Sequence, residues 1–159
     1  MRVGIGYDVH RLGEEGTLRL GGVDVEGAAR HVGHSDGDAL LHAITDALLG
    51  AAGQGDIGQH FPPGDPATAG IDSRELLRHA ARLIAAQRYR VANVDATVLA
   101  ERPRLGPSMG AMRESIARTL GIEPGQVNVK ATTTEGLGEI GRGEAIVAMA
   151  VAMLDEDVA

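Results

Sequence analysis

The spacing of the hydrophobic residues changes several times along this chain, and the order of these changes restricts the fold more than any other feature. Some segments alternate apolar and polar residues as strands do, and others carry apolar residues at helical spacing. The strand-like segments are 1–12, 17–26, 91–100, 126–132 and 145–154, and the helical segments are 36–52, 73–88 and 108–120. The order ββααβαββ predicts an α/β fold, a single-domain α/β sandwich with a mixed β-sheet that carries helices on one face. No repeat, linker or break in composition is visible, so we expect one domain over residues 1–159.

Local signals refine the ends of these segments. The sequence GEEG between the first two strands resembles a hairpin connection. Ser35, followed three residues later by Asp38, is a candidate N-cap for the first helix, and Gly121 is a candidate stop for the third. Residues 53–71 form a long loop rich in Gly and Pro, and such loops inside compact domains are usually functional. A helix is possible at 145–154, but the alternation of large and small residues there favours a strand.

Two predicted strands carry polar residues on the face that points away from the helices. Asp95 and Thr97 mark this face on the first of them, and Asn128 and Lys130 mark it on the second. The face is either solvated or turned toward other subunits or a lumen. The final strand has an alanine face, and such small side chains let another backbone approach closely.

Composition limits the partners of the protein. Aromatic residues make up only 2% of the chain, so the core depends on small aliphatic residues and sharing a core in an oligomer is plausible. The formal net charge of -7 argues against nucleic acid and anionic membranes as partners. The longest apolar run, 145–154, is too short for a bilayer, which needs about 20 residues. There is no cysteine, and no signal peptide is visible, so we expect a cytoplasmic protein.

A candidate metal site begins with the sequence GYDVH. Asp8 and His10 lie two residues apart on one strand and therefore point the same way, although a surface pair would look alike. His42 lies in the first helix, with Asp38 and Asp46 one turn away on either side. Two histidines and one carboxylate form a usual zinc set with an open position, and Asp38 or Asp46 could hold the other imidazole nitrogen. The same set also occurs at non-haem iron sites.

Two further clusters suggest an anionic ligand. His34 and Ser35 precede a predicted helix, whose free amide groups favour a phosphate, although simple capping also explains them. In KATTTEGLG, Thr132, Thr133 and Glu135 adjoin glycines, and Glu135 is a hard oxygen ligand suited to Mg²⁺ or Mn²⁺ that bridges phosphates. No Walker A loop is present, so nucleotide hydrolysis by that route is not indicated.

The segments GYDVH, HSDGDALLHAITDALLGAAGQGDIG, DSRELL, NVDATVLAERPRL, NVKATTTEGLG and GRGEAI together resemble the 2-C-methyl-D-erythritol 2,4-cyclodiphosphate synthase family over nearly the whole chain. The resemblance implies a homotrimer with inward-facing sheets and active sites between subunits. It also implies a cytidine diphosphate-linked substrate, 4-diphosphocytidyl-2-C-methyl-D-erythritol 2-phosphate. The substrate's 2-phosphate attacks the β-phosphorus, CMP leaves, and a cyclic diphosphate forms in the non-mevalonate isoprenoid pathway.

The resemblance also assigns roles to individual residues. Zinc would be bound by Asp8, His10 and His42, and Mg²⁺ or Mn²⁺ by Glu135. His34 and Thr133 would stabilise the transition state. The implied contacts with the erythritol and its phosphates are Asp8, His10, His34, Ser35, Asp56, Ile57, Gly58, Phe61 and Asp65. The implied contacts with cytidine, its phosphates and the second metal are Ala100, Arg104, Leu105, Gly106, Ala131, Thr132, Thr133, Thr134, Glu135 and Arg142.

The chain departs from the family pattern at three positions. Arg104 replaces a frequent Lys, which keeps the charge and changes its geometry, and Pro63 replaces a frequent acidic residue. Glu139, near Arg142, replaces a Phe in a region that in the family lines an axial cavity for isoprenoid diphosphates. Two other interpretations of the chain are an iron-dependent oxygenase and a non-catalytic nucleotide-binding or trimeric scaffold protein.

Overall fold

The computed structural model describes residues 1–31, 36–62, 64, 66 and 70–157. The strands are β1 (Arg2–Leu20), β2 (Val23–His31), β3 (Tyr89–Leu99), β4 (Val127–Thr132) and β5 (Ala145–Glu156). The helices are α1 (Ala39–Ala52), α2 (Ile57–His60), α3 (Ser73–Ala86), α4 (Met109–Leu120) and α5 (Gly138–Gly141), with single 3₁₀ turns at Gly106–Ser108 and Pro124–Gln126. Within these residues, no helix is long and apolar enough to cross a bilayer.

The five strands form one mixed sheet in the order β2-β1-β5-β3-β4. The pair β3–β4 is parallel, and the other neighbouring pairs are antiparallel. Helix α1 packs across β1 and β5, while α3 and α4 contact β3 and β4 respectively. The predicted α/β class, the mixed sheet and the helices on one face are therefore confirmed.

The first hairpin differs from the prediction. Strand β1 runs without interruption through GEEG, and the chain turns instead at Gly21 and Gly22. Both glycines have positive φ, 62° and 74°, which is the conformation that tight two-residue hairpins require. The register shifts of the β1–β2 pair lie between Leu12 and Leu18. GEEG is thus an irregular stretch of a long strand, and the predicted turn there was wrong.

Helix α1 also begins later than predicted. Its N-cap is Asp38, whose carboxylate accepts a hydrogen bond from the Leu41 amide. The same carboxylate accepts from the amides of Gly21 and Gly22, and it is fully buried. The capping role assigned to Ser35 was therefore wrong, although Ser35 itself lies outside the described residues. At the end of α4, by contrast, Gly121 has φ 70° and caps the helix, which confirms the predicted stop.

The alanine face of β5 packs against α1 within the chain. Ala148, Ala150 and Ala152 are buried at 2% exposure or less. On the neighbouring strand, a Cβ atom added at Gly6 would lie 1.8 Å from the carbonyl oxygen of Ala43 in α1. The close approach suggested by the small residues is therefore that of α1 to the sheet.

The opposite face of the sheet is exposed and divides into two halves. On β1 and β5 it is apolar, and its residues there are Val3, Ile5, Tyr7, Val9, Met149 and Val151, which are 40–67% exposed. On β3 and β4 it is polar, as predicted, and Asp95 accepts hydrogen bonds from Asn128 and Lys130. We call the apolar half the sheet patch. Monomeric proteins rarely expose a continuous apolar surface of this kind without a partner.

Candidate metal centre and nucleotide cleft

Three ligand-type atoms converge between β1 and α1. Asp8 Oδ2 lies 2.8 Å from His10 Nε2 and 3.0 Å from His42 Nδ1, and the two nitrogens are 3.3 Å apart. Atoms this close together can all lie about 2.0–2.1 Å from one ion, the usual zinc–ligand distance. All three side chains are partly buried. The structure thus brings together the three residues predicted to bind a metal.

Alternation along β1 and the closeness of α1 produce this cluster. Gly4, Gly6, Asp8 and His10 share the face of β1 that meets the helix. The absence of a side chain at Gly6 lets the α1 backbone contact the strand directly, which brings the short imidazole of His42 within reach of Asp8. The Val9 amide donates to Asp8 Oδ1 at 3.0 Å, so Oδ2 is the oxygen that faces the histidines.

The outward nitrogens of both histidines have backbone or hydroxyl partners. His10 Nδ1 lies 2.8 Å from the carbonyl oxygen of Gly37, and His42 Nε2 lies 2.9 Å from Ser73 Oγ. The Ser73 hydroxyl in turn donates to Asp36. These contacts leave His10 Nε2 and His42 Nδ1 as the nitrogens directed at Asp8. Two imidazole nitrogens and a carboxylate oxygen are a usual zinc donor set, so these residues fit a metal.

Sequence reasoning assigned the outer contact of His42 to Asp38 or Asp46, and this was wrong. Asp38 is committed to capping α1, and the Asp46 carboxylate accepts from the Ile57 amide at 2.8 Å. Ser73, Asp36 and the Gly37 carbonyl were missed. Ser73 is 31 residues away from His42 in sequence, so no local spacing signals their contact, although both lie in the segments HSDGDALLH and DSRELL that carried the family resemblance.

The charges in the cluster are strongly coupled. Burial raises the pKa of Asp8, but hydrogen bonds from His10 and His42 and their charges lower it to about 2. Burial lowers the pKa of His10, but the hydrogen bond with Asp8 and its charge raise it above its ordinary value. In the metal-free protein an anionic Asp8 therefore holds a proton on His10, and this proton must leave when a metal binds.

A second site lies at the carboxyl ends of β3 and β4. It is a cleft of about 540 Å³, lined by Ala100, Glu101, Pro103, Arg104, Leu105, Gly106, Pro107, Met109, Ala131, Thr132 and Thr133. Seven of the residues predicted to contact the cytidine part lie here. Pro107 and Met109 were not predicted, because only the fold brings the start of α4 to this cleft.

The turn after β4 holds Glu135 in an unusual backbone conformation. Its φ is 53°, which is sparsely populated for residues other than glycine. The Glu135 amide donates to Thr133 Oγ1, and the Gly136 amide donates to Glu101 Oε2, both at 3.3 Å. The Glu135 side chain itself is exposed, two residues after Thr133 of the cleft. Strained conformations of this kind concentrate at functional sites.

Within one chain the metal centre and the cleft are separate. Strands β5 and β3 lie between β1 and β4, and one row of the sheet runs from Val9 through Val147 and Leu99 to Thr132. Three interstrand spacings correspond to about 14 Å. In addition, Asp8 points to the helix side, whereas Thr132 is exposed on the other side. The structure therefore does not bring Glu135 and Thr133 to the metal centre of the same chain.

The predicted erythritol contacts lie near α2. Asp56 caps this helix, its carboxylate accepting from the Gln59 amide at 3.0 Å. The Ile57 amide donates a hydrogen bond to Asp46 of α1. Burial raises the pKa of Asp46, and the hydrogen bond from the Ile57 amide opposes this shift. The Phe61 ring packs edge-on against the His79 ring. Three other predicted residues of this group, His34, Ser35 and Asp65, lie outside the described residues. Pro63, where the chain departs from the family pattern, lies outside them as well.

Arg142 lies apart from both clusters. Its guanidinium donates to both carboxylate oxygens of Glu144 at 2.8 and 3.1 Å and lies 3.5 Å from Glu139. Glu139 and Glu144 line a cavity of about 380 Å³ beside the exposed end of the sheet patch at Val9. Arg142 thus contacts neither the candidate metal centre nor the cleft within this chain.

Comparisons with known proteins agree on one family. The sequence matches the YgbB family over residues 1–155. A relative from Trichlorobacter lovleyi, named 2-C-methyl-D-erythritol 2,4-cyclodiphosphate synthase, is 56% identical over 97% of this chain and 98% of its own.

Solved structures agree as well. One from Plasmodium falciparum, described as IspF in a CDP complex, has a TM-score of 0.87 at 37% identity and covers 98% of this chain and 96% of its own. The bifunctional IspDF from Campylobacter jejuni has a TM-score of 0.93 at 41% identity over 98% of this chain, which spans 42% of that longer protein. The chain therefore belongs to the YgbB family.

Proposed function

We propose that the protein catalyses the reaction after which its relatives are named, the formation of 2-C-methyl-D-erythritol 2,4-cyclodiphosphate. The substrate is 4-diphosphocytidyl-2-C-methyl-D-erythritol 2-phosphate. An oxygen of its 2-phosphate forms a bond to the β-phosphorus, the bond from that phosphorus to the bridging oxygen breaks, and CMP leaves with this oxygen. The observation that carries the proposal is the convergence of Asp8, His10 and His42 in a member of this family.

The metal-binding residues supply what such a reaction needs. Phosphoryl transfer depends mainly on positioning and charge neutralisation, and the nucleophile here belongs to the substrate. Asp8, His10 and His42 would hold zinc, and Glu135 would hold Mg²⁺ or Mn²⁺ together with substrate oxygens. When bound, these ions act as Lewis acids that polarise the phosphates. A single exposed carboxylate fits the second ion, because Mg²⁺ is usually held by one or two carboxylates plus phosphates.

The remaining predicted residues would position the two ends of the substrate. The cleft between Ala100 and Thr133 would hold cytidine, with Arg104 at its rim near the phosphates, and the relative solved with CDP supports this assignment. His34 and Thr133 would stabilise charge on the transferring phosphoryl group. Asp56 and Ile57 would meet the erythritol part. The Ile57 amide is hydrogen-bonded to Asp46 of α1, the helix that carries His42.

Active sites shared between subunits would join the two separated clusters. In one chain the metal centre and the cleft are separated by three interstrand spacings of the sheet, about 14 Å. The exposed sheet patch supports an assembly in which this face is covered. We therefore propose a homotrimer with inward-facing sheets, in which the cleft of one subunit lies beside the metal centre of its neighbour. Each subunit would be one domain over residues 1–159, in the cytoplasm.

Mixed assemblies test the shared site. His42→Ala removes the metal half of a site, and Glu135→Gln weakens the nucleotide half. Co-expression of the two impaired variants in equal amounts should give about a quarter of the sites with both halves intact, since each half is then intact in half of the cases. If both halves came from one chain, no intact site would form and the mixture would stay inactive. Each variant expressed alone sets the background activity.

Family membership favours this reaction over the two alternatives considered from the sequence. An iron-dependent oxygenase would contain stoichiometric iron and consume oxygen, and a scaffold protein would release no CMP. Elemental analysis and a CMP-release assay distinguish the three.

A further inference from the structure

The hydroxyl of Ser73 lies between a candidate metal ligand and a carboxylate. Ser73 is fully buried at the first turn of α3. Its oxygen lies 2.9 Å from His42 Nε2, and its proton goes to Asp36 Oδ1. The Ser73 amide donates to the other oxygen, Asp36 Oδ2, at 2.9 Å. Both carboxylate oxygens of Asp36 are therefore acceptors for the same serine.

We propose that Asp36 and Ser73 are positioning residues of the metal centre, which orient His42 and fix the tautomer that can bind the ion. The inference rests on the proposed function, since it assigns these residues to the metal that Asp8, His10 and His42 would hold.

The direction of each hydrogen bond follows from counting protons. A serine hydroxyl has one proton, and Asp36 accepts it, so only lone pairs of the Ser73 oxygen face His42. With a metal on Nδ1, His42 carries its proton on Nε2, and a lone pair of the Ser73 oxygen accepts it. Without Asp36, the hydroxyl is free to rotate and donate to Nε2. That would favour the opposite tautomer, in which Nδ1 carries a proton and cannot bind a metal.

The same turn also orients the second histidine. The Gly37 carbonyl accepts from His10 Nδ1 at 2.8 Å, so Nε2 of His10 is the nitrogen that would bind the ion once its proton has left. Gly37 has φ 75°, and Asp38 anchors the turn to α1 and to the β1–β2 hairpin. Residues 36–38, which we call the aspartate turn, thus contact the outward nitrogens of both histidines, directly or through Ser73, and orient their rings. Outer partners of metal-binding histidines commonly change metal affinity by about 10- to 100-fold.

Two variants separate this role from general packing. Ser73→Ala removes the hydroxyl but keeps the amide that bonds to Asp36. Asp36→Asn keeps the shape of the side chain, but an amide has only one acceptor oxygen for the two donors of Ser73. Ser73→Thr retains a hydroxyl and should rescue. Thr45→Ala is the control, because Thr45 is a fully buried hydroxyl on α1 that donates to the Leu41 carbonyl at 2.7 Å.

Nitrogen NMR measures the tautomer directly in a metal-free Asp8→Ala background, which removes the competing carboxylate 3.0 Å from His42 Nδ1, at a pH well above the ordinary histidine pKa of about 6.5. In this background we expect His42 to be protonated on Nε2, also when Thr45→Ala is added, and to show a mixture when Ser73→Ala or Asp36→Asn is added. With Asp8 intact, competition with a chelator should give zinc affinities about 10- to 100-fold weaker in the latter two, and wild-type-like affinity in Ser73→Thr.

An unchanged tautomer and unchanged zinc affinity in both Ser73→Ala and Asp36→Asn would overturn the inference. A wild-type protein that binds no zinc would contradict the proposed function instead, and the NMR measurement would still decide the role of Ser73. Circular dichroism identifies a variant that fails to fold. In that case the tautomer in the other variant decides.

Discussion

Replacing Gly6 with alanine tests how the fold positions α1, the helix that carries His42. The new methyl carbon would lie 1.8 Å from the Ala43 carbonyl oxygen and 2.8 Å from the Ala47 amide nitrogen. Ordinary contacts between such atoms are about 3.5 Å, so α1 must retreat by roughly 1.5 Å. The obstructing atoms belong to the helix backbone, and no side-chain rotation relieves the overlap.

Two losses should follow from that displacement. Overpacking of a core usually costs about 1–3 kcal/mol, and a backbone clash belongs at the upper end. For a chain of this size, 3 kcal/mol lowers the melting temperature by roughly 6–12 °C. The second loss concerns the metal, because binding groups must stay within about 0.5 Å of their working positions. His42 moves with α1, so zinc affinity should fall together with stability.

Gly50→Ala provides the matched control. Gly50 also lies in α1, but the nearest atom to its added Cβ is the Ile5 oxygen at 4.0 Å. This substitution should raise stability by up to about 1 kcal/mol, since alanine favours helices more than glycine. Thermal unfolding and chelator competition measure both effects. Wild-type stability and zinc affinity in Gly6→Ala would refute the argument that direct backbone contact positions His42.

Four further predictions concern the metals, the pH response and the axial cavity. His42→Ala should lose most bound zinc and keep its fold, and full zinc content by elemental analysis would exclude His42 as a ligand. Glu135→Gln should weaken the response of activity to Mg²⁺ or Mn²⁺, because an amide is a poor substitute for a carboxylate, and an unchanged metal titration would contradict the assignment. In the metal-free protein, Asp8→Asn should lower the free energy of unfolding in urea most between about pH 4 and 6.5. Below this range the ion pair of Asp8 with His10 is lost as the pH falls from 3.8 towards about 2, where Asp8 becomes protonated in the folded protein. Above this range it is lost as the pH rises through the raised pKa of His10. A constant difference across pH would contradict that pairing. Calorimetry with geranyl or farnesyl diphosphate should detect weak binding or none, since Arg142 is paired with Glu144 and Glu139, whereas tight binding at one ligand per trimer would refute this.

Periodicity predicted the longer elements of the fold well, because strands such as β4 and helices such as α3 have one buried face. Val127 and Val129 are buried while Asn128 and Lys130 are exposed, as the alternation in β4 requires. The first hairpin was misplaced because two turn signals competed. Gly21 and Gly22 match the tight turn, whereas GEEG lies in a strand whose pairing changes from β5 to β2.

The candidate metal ligands were predictable, and their surroundings were not. Asp8 and His10 are predictable as a pair because strand geometry points them the same way. His42 is predictable as a candidate because it lies within a helix, with Asp38 and Asp46 one turn away on either side. Ser73 contacts His42 only because α3 begins beside α1, and this is a property of the tertiary packing. The separation of Glu135 from Asp8 likewise depends on strand order, which no local pattern contains.

Phosphorus NMR of the purified protein with zinc, Mg²⁺ and its proposed substrate tests the central claim most directly. We expect one equivalent of CMP and one equivalent of the 2,4-cyclodiphosphate for each 4-diphosphocytidyl-2-C-methyl-D-erythritol 2-phosphate consumed, with no inorganic phosphate. His42→Ala should form neither product. No turnover by the metal-loaded wild-type protein, or release of a linear phosphate in place of the cyclic product, would contradict the proposed intramolecular transfer.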